Sequence, residues 1–181
     1  MATLELSVFR KKLRYNVNQG ISAWWNIEEL TGEKGWDRVL DFDVFLPSKG
    51  INLQRGFVWT QEQKSEFILS TLKGMDMASI CLVDLDHKIF QIIDGKQRVS
   101  TVISFYHNEF PVNYNGQDFF FNDLDKRAQF EIKHWCPRAN VGYSYSDSPI
   151  TDEEKIEWFL RVNFAGTAQE KSHQELLTSK L

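Results

Sequence analysis

The chain has 181 residues, of which 42% are hydrophobic and 14% aromatic, and its formal net charge at pH 7 is −4. This length and composition are typical of one soluble domain that buries a packed core, with at most a short appendage. The acidic balance argues against a basic face over the whole chain, which is what broad contact with nucleic-acid phosphates requires.

The first part of the chain predicts a helical extension, then a strand and a helix. Residues 1–40 show helical patches interrupted by glycines, and we interpret residues 41–181 as the main domain. Alternating apolar residues predict a strand near Phe42–Leu46. The run TQEQ from Thr60 has the spacing of a capping box, so a helix should begin there. The C-terminal glycine of this helix should be Gly74. Its apolar face should consist of Phe67, Ile68, Thr71, Leu72 and Met75.

The middle of the chain predicts a strand pair, a helix and a hairpin. The run SICLVDLDHKIFQII indicates two strands joined by a polar turn. Asn115-Gly116 between two apolar runs predicts a tight hairpin. The helix between these elements should have one apolar face, which consists of Val99, Val102, Ile103 and Tyr106.

The last part adds helices and one further strand. A helix is expected around Leu124–Lys133, and NVGYSYSD should form an edge or terminal strand. Thr151 and Glu154 have capping-box spacing, and a short polar helix should close the chain. The helix after Thr151 should align Ile156, Phe159, Leu160 and Asn163. Because strands and helices do not alternate strictly, the sequence predicts an α+β fold.

The cysteines and the apolar runs bear on the compartment. Cys81 and Cys136 have no neighbouring Cys or His at metal-ligand spacing, so we expect no metal site built from them. Two isolated cysteines fit a reducing compartment. The sequence shows no signal peptide and no long apolar run, so we expect a cytoplasmic protein without a membrane contact.

The run QIIDGKQRVSTVISF, residues 91–105, places a charged pentapeptide between an apolar, β-branched half and a half with helical spacing. Residues 94–98 should therefore lie where a strand ends and a helix begins. The first turn of a helix has free backbone N–H groups and a partial positive charge. Such a corner suits an anion.

The side chains of this corner also suit a phosphate. Gly95 permits close approach of the backbone, and Lys96 and Arg98 add positive charge. Gln97 has three candidate partners, which are a base, a phosphate and a neighbouring loop. Hydroxyls in the first turn are those of Ser100 and Thr101.

Asp94 has three candidate roles at this corner. It would hold a metal-bound water, pair with Arg98, or only cap the helix, which is a purely structural alternative. In the last case Lys96 and Arg98 would be solvated cations. No G-x-x-x-x-G-K-[ST] loop occurs, so this is not a Walker A site.

Three segments, in the order NLQRGFVW, IIDGKQRVSTVISF and WFLRVNFAGT, resemble the DGQQR-motif domain. That domain forms the N-terminal part of GmrSD-type (type IV) restriction enzymes and related phage-defence proteins. The resemblance covers roughly residues 42–181. It implies a ParB/sulfiredoxin-like fold, a small mixed sheet with packed helices. It also implies binding and hydrolysis of a nucleoside triphosphate, for which we expect Mg²⁺.

The family motifs are carried over position by position, with Lys96 standing where the family has its first Gln. Trp59 has two alternatives, stacking on a base or packing in the core, and Asn163 has two, orienting a phosphate or capping a helix. We expect Asp94, Gln97 and Arg98 to be catalytic. The expected nucleotide-binding residues are Gln54, Arg55, Trp59, Gly95, Lys96, Ser100, Thr101, Asn163, Gly166 and Thr167.

Two other functions compete with hydrolysis. One is a non-catalytic, nucleotide-gated module that binds DNA or protein. The other is a ParB-like DNA nuclease with Asp43 and Asp94 as candidate metal ligands. The four histidines are scattered and form no H-N-H constellation, so we expect any contact with DNA to run through a partner nuclease. Formation of a homo-oligomer is left open.

Overall fold

The computed structural model describes residues 39–75, 78–85, 88–144, 146, 149–164 and 171–180. The predicted extension over residues 1–40 lies almost entirely outside the described residues, so its boundary with the main domain stays a prediction. The strands are β1 Val39–Asp41, β2 Phe45–Leu46, β3 Ile51–Asn52, β4 Ile80–Leu85, β5 Ile89–Asp94, β6 Val112–Tyr114, β7 Gln117–Phe119 and β8 Ala139–Ser144. The α-helices are α1 Gln61–Leu72, α2 Lys96–Tyr106, α3 Lys126–Lys133, α4 Asp152–Phe164 and α5 Lys171–Thr178, with a 3₁₀ turn at Phe121–Asp123.

These elements confirm the α+β class, and they fall into two compact units. The first unit includes Phe57–Ser79 and Gln97–Arg138. The second unit includes Asp37–Gly56, Ile80–Lys96 and Ala139–Leu181.

The second unit contains a mixed four-stranded sheet. Its strand order is β1-β5-β4-β8. β4 and β5 are antiparallel, whereas β1 runs parallel to β5 and β8 runs parallel to β4. The two central strands are buried along most of their length, which explains why both read as near-continuous apolar runs. The predicted strand pair is confirmed, and β8 is an edge strand as expected.

The predicted strand at Phe42–Leu46 is wrong in its bounds. The chain forms β1 before it, turns, and then forms only the two-residue strand β2, which pairs with β3. The turn arises because one oxygen of Asp41 accepts hydrogen bonds from the backbone N–H groups of Asp43 (3.0 Å) and Val44 (3.1 Å). An aspartate that bonds the backbone two residues on competes with an extended strand.

Helices α4 and α5 cover one core of the second unit. Thr151 and Glu154 form the predicted capping box, with bonds of 3.2 and 2.8 Å. The predicted closing helix is present as α5. The buried core cluster consists of Val44, Leu46, Leu53, Cys81, Val83, Ile93, Ile156, Phe159 and Leu177, with Leu160 partly buried against it.

In the first unit, α1 begins at the predicted capping box. The Thr60 hydroxyl accepts from the Gln63 backbone at 3.2 Å, and the Gln63 side chain accepts from the Thr60 backbone at 2.9 Å. Gly74 has φ +69° just beyond the helix, as expected of a C-terminal glycine. Phe67, Ile68, Thr71 and Leu72 are buried, but Met75 is 58% exposed. Met75 was wrongly included because Gly74 has already turned the chain out of the helix.

Other elements of the first unit follow their local signals with small shifts. Asn115 (φ 53°) and Gly116 (φ 80°) form the predicted hairpin between β6 and β7. Helix α3 begins two residues later than predicted, because Asp125 caps it by accepting from the Ala128 N–H at 2.7 Å. In α2, Val99 and Val102 are buried as predicted, whereas Ile103 and Tyr106 are half-buried. Their places in the buried face are taken by Thr101 and Phe105.

No helix among the described residues is both long enough and apolar enough to cross a membrane.

Candidate functional site

The pentapeptide at residues 94–98 lies at the corner that the sequence predicts. Strand β5 ends at Asp94, Gly95 has φ +105°, and α2 begins at Lys96. Non-glycine residues rarely adopt that φ. A Cβ atom on Gly95 would also lie 2.8 Å from the Cβ of Ile80, which begins β4. The glycine is therefore required by the sheet itself, whatever the corner binds.

Lys96 forms an ion pair that the sequence analysis did not predict. Its ammonium lies 2.8 Å from a carboxylate oxygen of Asp43, within the second unit. The Lys96 side chain is 11% exposed and that of Asp43 is 79% exposed. The Asp43 carboxylate therefore offsets the charge of Lys96 at the start of α2. The sequence carries no signal that pairs these two residues, because they lie 53 positions apart in the chain.

Gln54 bonds to the end of β5, within the second unit. Its Nε2 donates to the carbonyl oxygens of Ile92 (2.8 Å) and Ile93 (2.7 Å). Arg55, the next residue, is half-buried. The structure thus gives Gln54 a backbone role that the sequence analysis missed.

Gln97 bonds to a loop, within the first unit. Its Oε1 accepts from the backbone N–H groups of Val58 (3.0 Å) and Trp59 (3.3 Å). Of the three partners considered for Gln97, the structure contains the neighbouring loop. The ring of Trp59 packs 5.2 Å from that of Phe67, tilted by 58°. This contact is the packing alternative for Trp59, and stacking on a base stays a prediction.

Arg98 and Thr101 also make backbone bonds within the first unit. Arg98 is half-buried and donates from Nη1 to the carbonyl oxygen of Ala78 at 2.6 Å. The Thr101 hydroxyl is buried and donates to the Gln97 carbonyl at 2.7 Å. Ser100 is half-buried. The predicted roles of Arg98, Ser100 and Thr101 at a phosphate stay predictions.

The remaining site predictions lie at the end of α4 and beyond. The Asn163 side chain donates to the Phe159 carbonyl at 2.9 Å, one turn earlier in the same helix. This bond belongs to the helix-end alternative for Asn163. Gly166 and Thr167 lie outside the described residues. Arg55 belongs to the second unit and Arg98 to the first, and the predicted nucleotide-binding role of Arg55 stays a prediction.

Metal ligands were considered for the nuclease alternative. Among the described residues, no group of three or more His, Cys, Asp or Glu side chains could hold a metal ion. Asp94 is half-buried, and Asp43 pairs with Lys96. A single carboxylate beside a phosphate chain is nevertheless a usual way to bind Mg²⁺, because substrate oxygens and waters fill the other positions. The expected Mg²⁺ therefore stays a prediction.

The fold and the corner together define an α+β domain that presents a strand–glycine–helix turn carrying the DGKQR run. The family model described as the GmrSD restriction endonuclease, N-terminal domain, matches residues 46–181. Because this match spans most of the chain, the protein belongs to that family. No curated protein and no solved structure matches the chain.

Proposed function

We propose that the chain acts in a DNA-restriction or phage-defence system as a domain that binds and hydrolyses a nucleoside triphosphate, with a ParB/sulfiredoxin-like fold. Membership of the GmrSD N-terminal family supports the restriction role. The observation that carries the nucleotide site is the corner itself, where β5 stops at Asp94 and Gly95 turns the chain into α2.

The residues of the corner would have distinct roles. The N–H groups of the first turn of α2 would donate to phosphate oxygens, and Gly95 leaves the backbone open to them. Arg98 would offer its planar guanidinium to two phosphate oxygens at once, which a lysine cannot do. Asp94 would hold Mg²⁺ or its water. Phosphoryl transfer depends mainly on such positioning and charge stabilisation, so these groups are of the right kind. Any cleavage of DNA would be made by a partner nuclease.

One observation favours the alternative of binding without turnover. Gln97, expected to be catalytic, has its Oε1 bonded to the backbone N–H groups of Val58 and Trp59. A glutamine oxygen occupied in this way is not orienting a water. Stoichiometric nucleotide binding with no release of inorganic phosphate would select this alternative.

The test is calorimetric titration of the protein with each nucleoside triphosphate and Mg²⁺. Arg98→Ala should weaken binding roughly 10- to 100-fold, since hydrogen bonds to charged groups are worth about 1.5–3 kcal/mol. Arg98→Lys should not restore affinity, because it keeps a donor for the Ala78 carbonyl but lacks the fork. Arg161→Ala is the matched control, since Arg161 is an exposed arginine paired only loosely with Glu157 at 3.4 Å.

The proposal fails if the wild type binds none of the nucleotides, or if Arg98→Ala binds as tightly as Arg161→Ala. A phosphate-release assay on the binding nucleotide then separates hydrolysis from binding alone. Thermal unfolding of each variant shows whether a loss of binding reflects a loss of folding.

A further inference from the structure

The two motif glutamines, Gln54 and Gln97, use opposite ends of their carboxamides. Gln54 donates from Nε2 to two backbone carbonyls, whereas Gln97 accepts at Oε1 from two backbone N–H groups. A carbonyl can only accept and a backbone N–H can only donate. The partners therefore fix which way each amide points.

These bonds act on the two ends of one segment, Gln54–Trp59. At its start, Gln54 is bonded to the Ile92 and Ile93 carbonyls near the end of β5, in the second unit. At its end, Val58 and Trp59 are bonded by Gln97 from the first turn of α2, in the first unit. Residues 55–60 between β3 and α1 belong to no strand or helix. The backbone N–H groups of Val58 and Trp59 therefore join no strand ladder, and the Gln97 side chain accepts their hydrogen bonds instead.

We propose that Gln54 and Gln97 are positioning residues that fix the Gln54–Trp59 segment, and with it Arg55, and that neither glutamine contacts the nucleotide. This assignment replaces the roles expected from the family resemblance, in which Gln97 is catalytic and Gln54 binds nucleotide. The effect on Arg55 rests on the proposed function, because it matters only if Arg55 contacts phosphate. The anchoring of the segment does not rest on it.

The first arm of the test measures amide hydrogen exchange of Val58 and Trp59 by NMR, without nucleotide. Gln97→Ala should speed exchange at both amides by roughly 5- to 10-fold, since one hydrogen bond is worth about 1 kcal/mol. Gln97→Glu should retain slow exchange, because a carboxylate oxygen still accepts. A segment held by other contacts would exchange alike in the wild type, Gln97→Ala and Gln97→Glu, and that result would overturn the proposal.

Gln54 requires the reverse pattern. Gln54→Glu loses both donors and places a carboxylate against the Ile92 and Ile93 carbonyls. It should therefore speed amide exchange in the segment at least as much as Gln54→Ala does. Slow exchange should be retained in Gln97→Glu and lost in Gln54→Glu. This pair of results is expected only if the two amides act as the structure shows. Rescue by glutamate at position 54 would contradict the proposal.

The second arm is a double-mutant cycle on nucleotide affinity with Arg55→Ala. If Gln54 acts only through Arg55, Gln54→Ala should lower nucleotide affinity several-fold in the wild type. In the Arg55→Ala background it should lower the affinity no further. Additive losses would mean that Gln54 contacts the nucleotide itself and would overturn the assignment. If the wild type binds no nucleotide, the proposed function fails, while the exchange experiment still decides whether the glutamines anchor the segment.

Discussion

Gly95 is constrained by the backbone and by its neighbour at once. Its φ of +105° lies outside the range that side-chain-bearing residues readily adopt. Its missing side chain leaves room for Ile80, with which a Cβ atom would collide. The glycine of the motif thus has a structural cause inside the second unit, in addition to any role beside a phosphate.

We therefore expect Gly95→Ala to destabilise the fold by about 2–5 kcal/mol, from backbone strain and overpacking together. The measurement is urea unfolding. Gly56→Ala is the control, because a Cβ atom there would meet nothing within 4 Å and its φ is not positive. Equal stability of the two variants would show that the corner relaxes around an alanine.

Lys96 shows how one residue can alter a motif. The motif that this run resembles has Gln at this position, and here a lysine pairs with Asp43 at 2.8 Å. An ion pair with one exposed partner contributes at most about 1 kcal/mol. Lys96 therefore matters more for the local charge than for stability.

Among the helices and strands, the most accurate predictions came from sequence motifs that span no more than four residues. The capping boxes at Thr60 and Thr151 and the hairpin at Asn115-Gly116 are all present. Each involves bonds or dihedral angles between near neighbours in the chain, so the residues that determine the element are the residues in it.

For the same reason Thr60→Ala should cost about 1 kcal/mol, because the Gln63 N–H loses its acceptor. Thr60→Ser should stay close to the wild type, since serine keeps the hydroxyl. Chemical unfolding of the three proteins is the measurement. A stability for Thr60→Ala equal to that of Thr60→Ser would mean that solvent replaces the cap.

At the scale of the whole molecule, the chain enters each unit more than once. The second unit is assembled from Asp37–Gly56, Ile80–Lys96 and Ala139–Leu181. Ile156, Phe159 and Leu177, from the last of these segments, are buried against Val83 and Ile93 of the sheet. The central strands β4 and β5 therefore depend on helices that lie far from them in sequence.

A chain truncated after residue 148, which lacks α4 and α5, should lose its cooperative thermal transition and bind a hydrophobic dye. Removing three buried side chains at about 2–5 kcal/mol each costs about as much as the whole stability of a typical domain, roughly 5–15 kcal/mol. A chain truncated after Thr178 is the control, because the last residues described, Ser179 and Lys180, are exposed. A sharp transition in the shorter chain would contradict this dependence.

The sequence by itself determined the α+β class, most element starts and the strand–glycine–helix corner, because local patterns carry that information. It also identified the family, through three short motifs. Only the tertiary structure decided where Gln54, Lys96 and Gln97 bond, since their partners lie 38 to 53 positions away in the chain. Which end of a carboxamide is used depends on whether backbone carbonyls or N–H groups face it. Sequence spacing does not encode that, because folding alone brings those groups together.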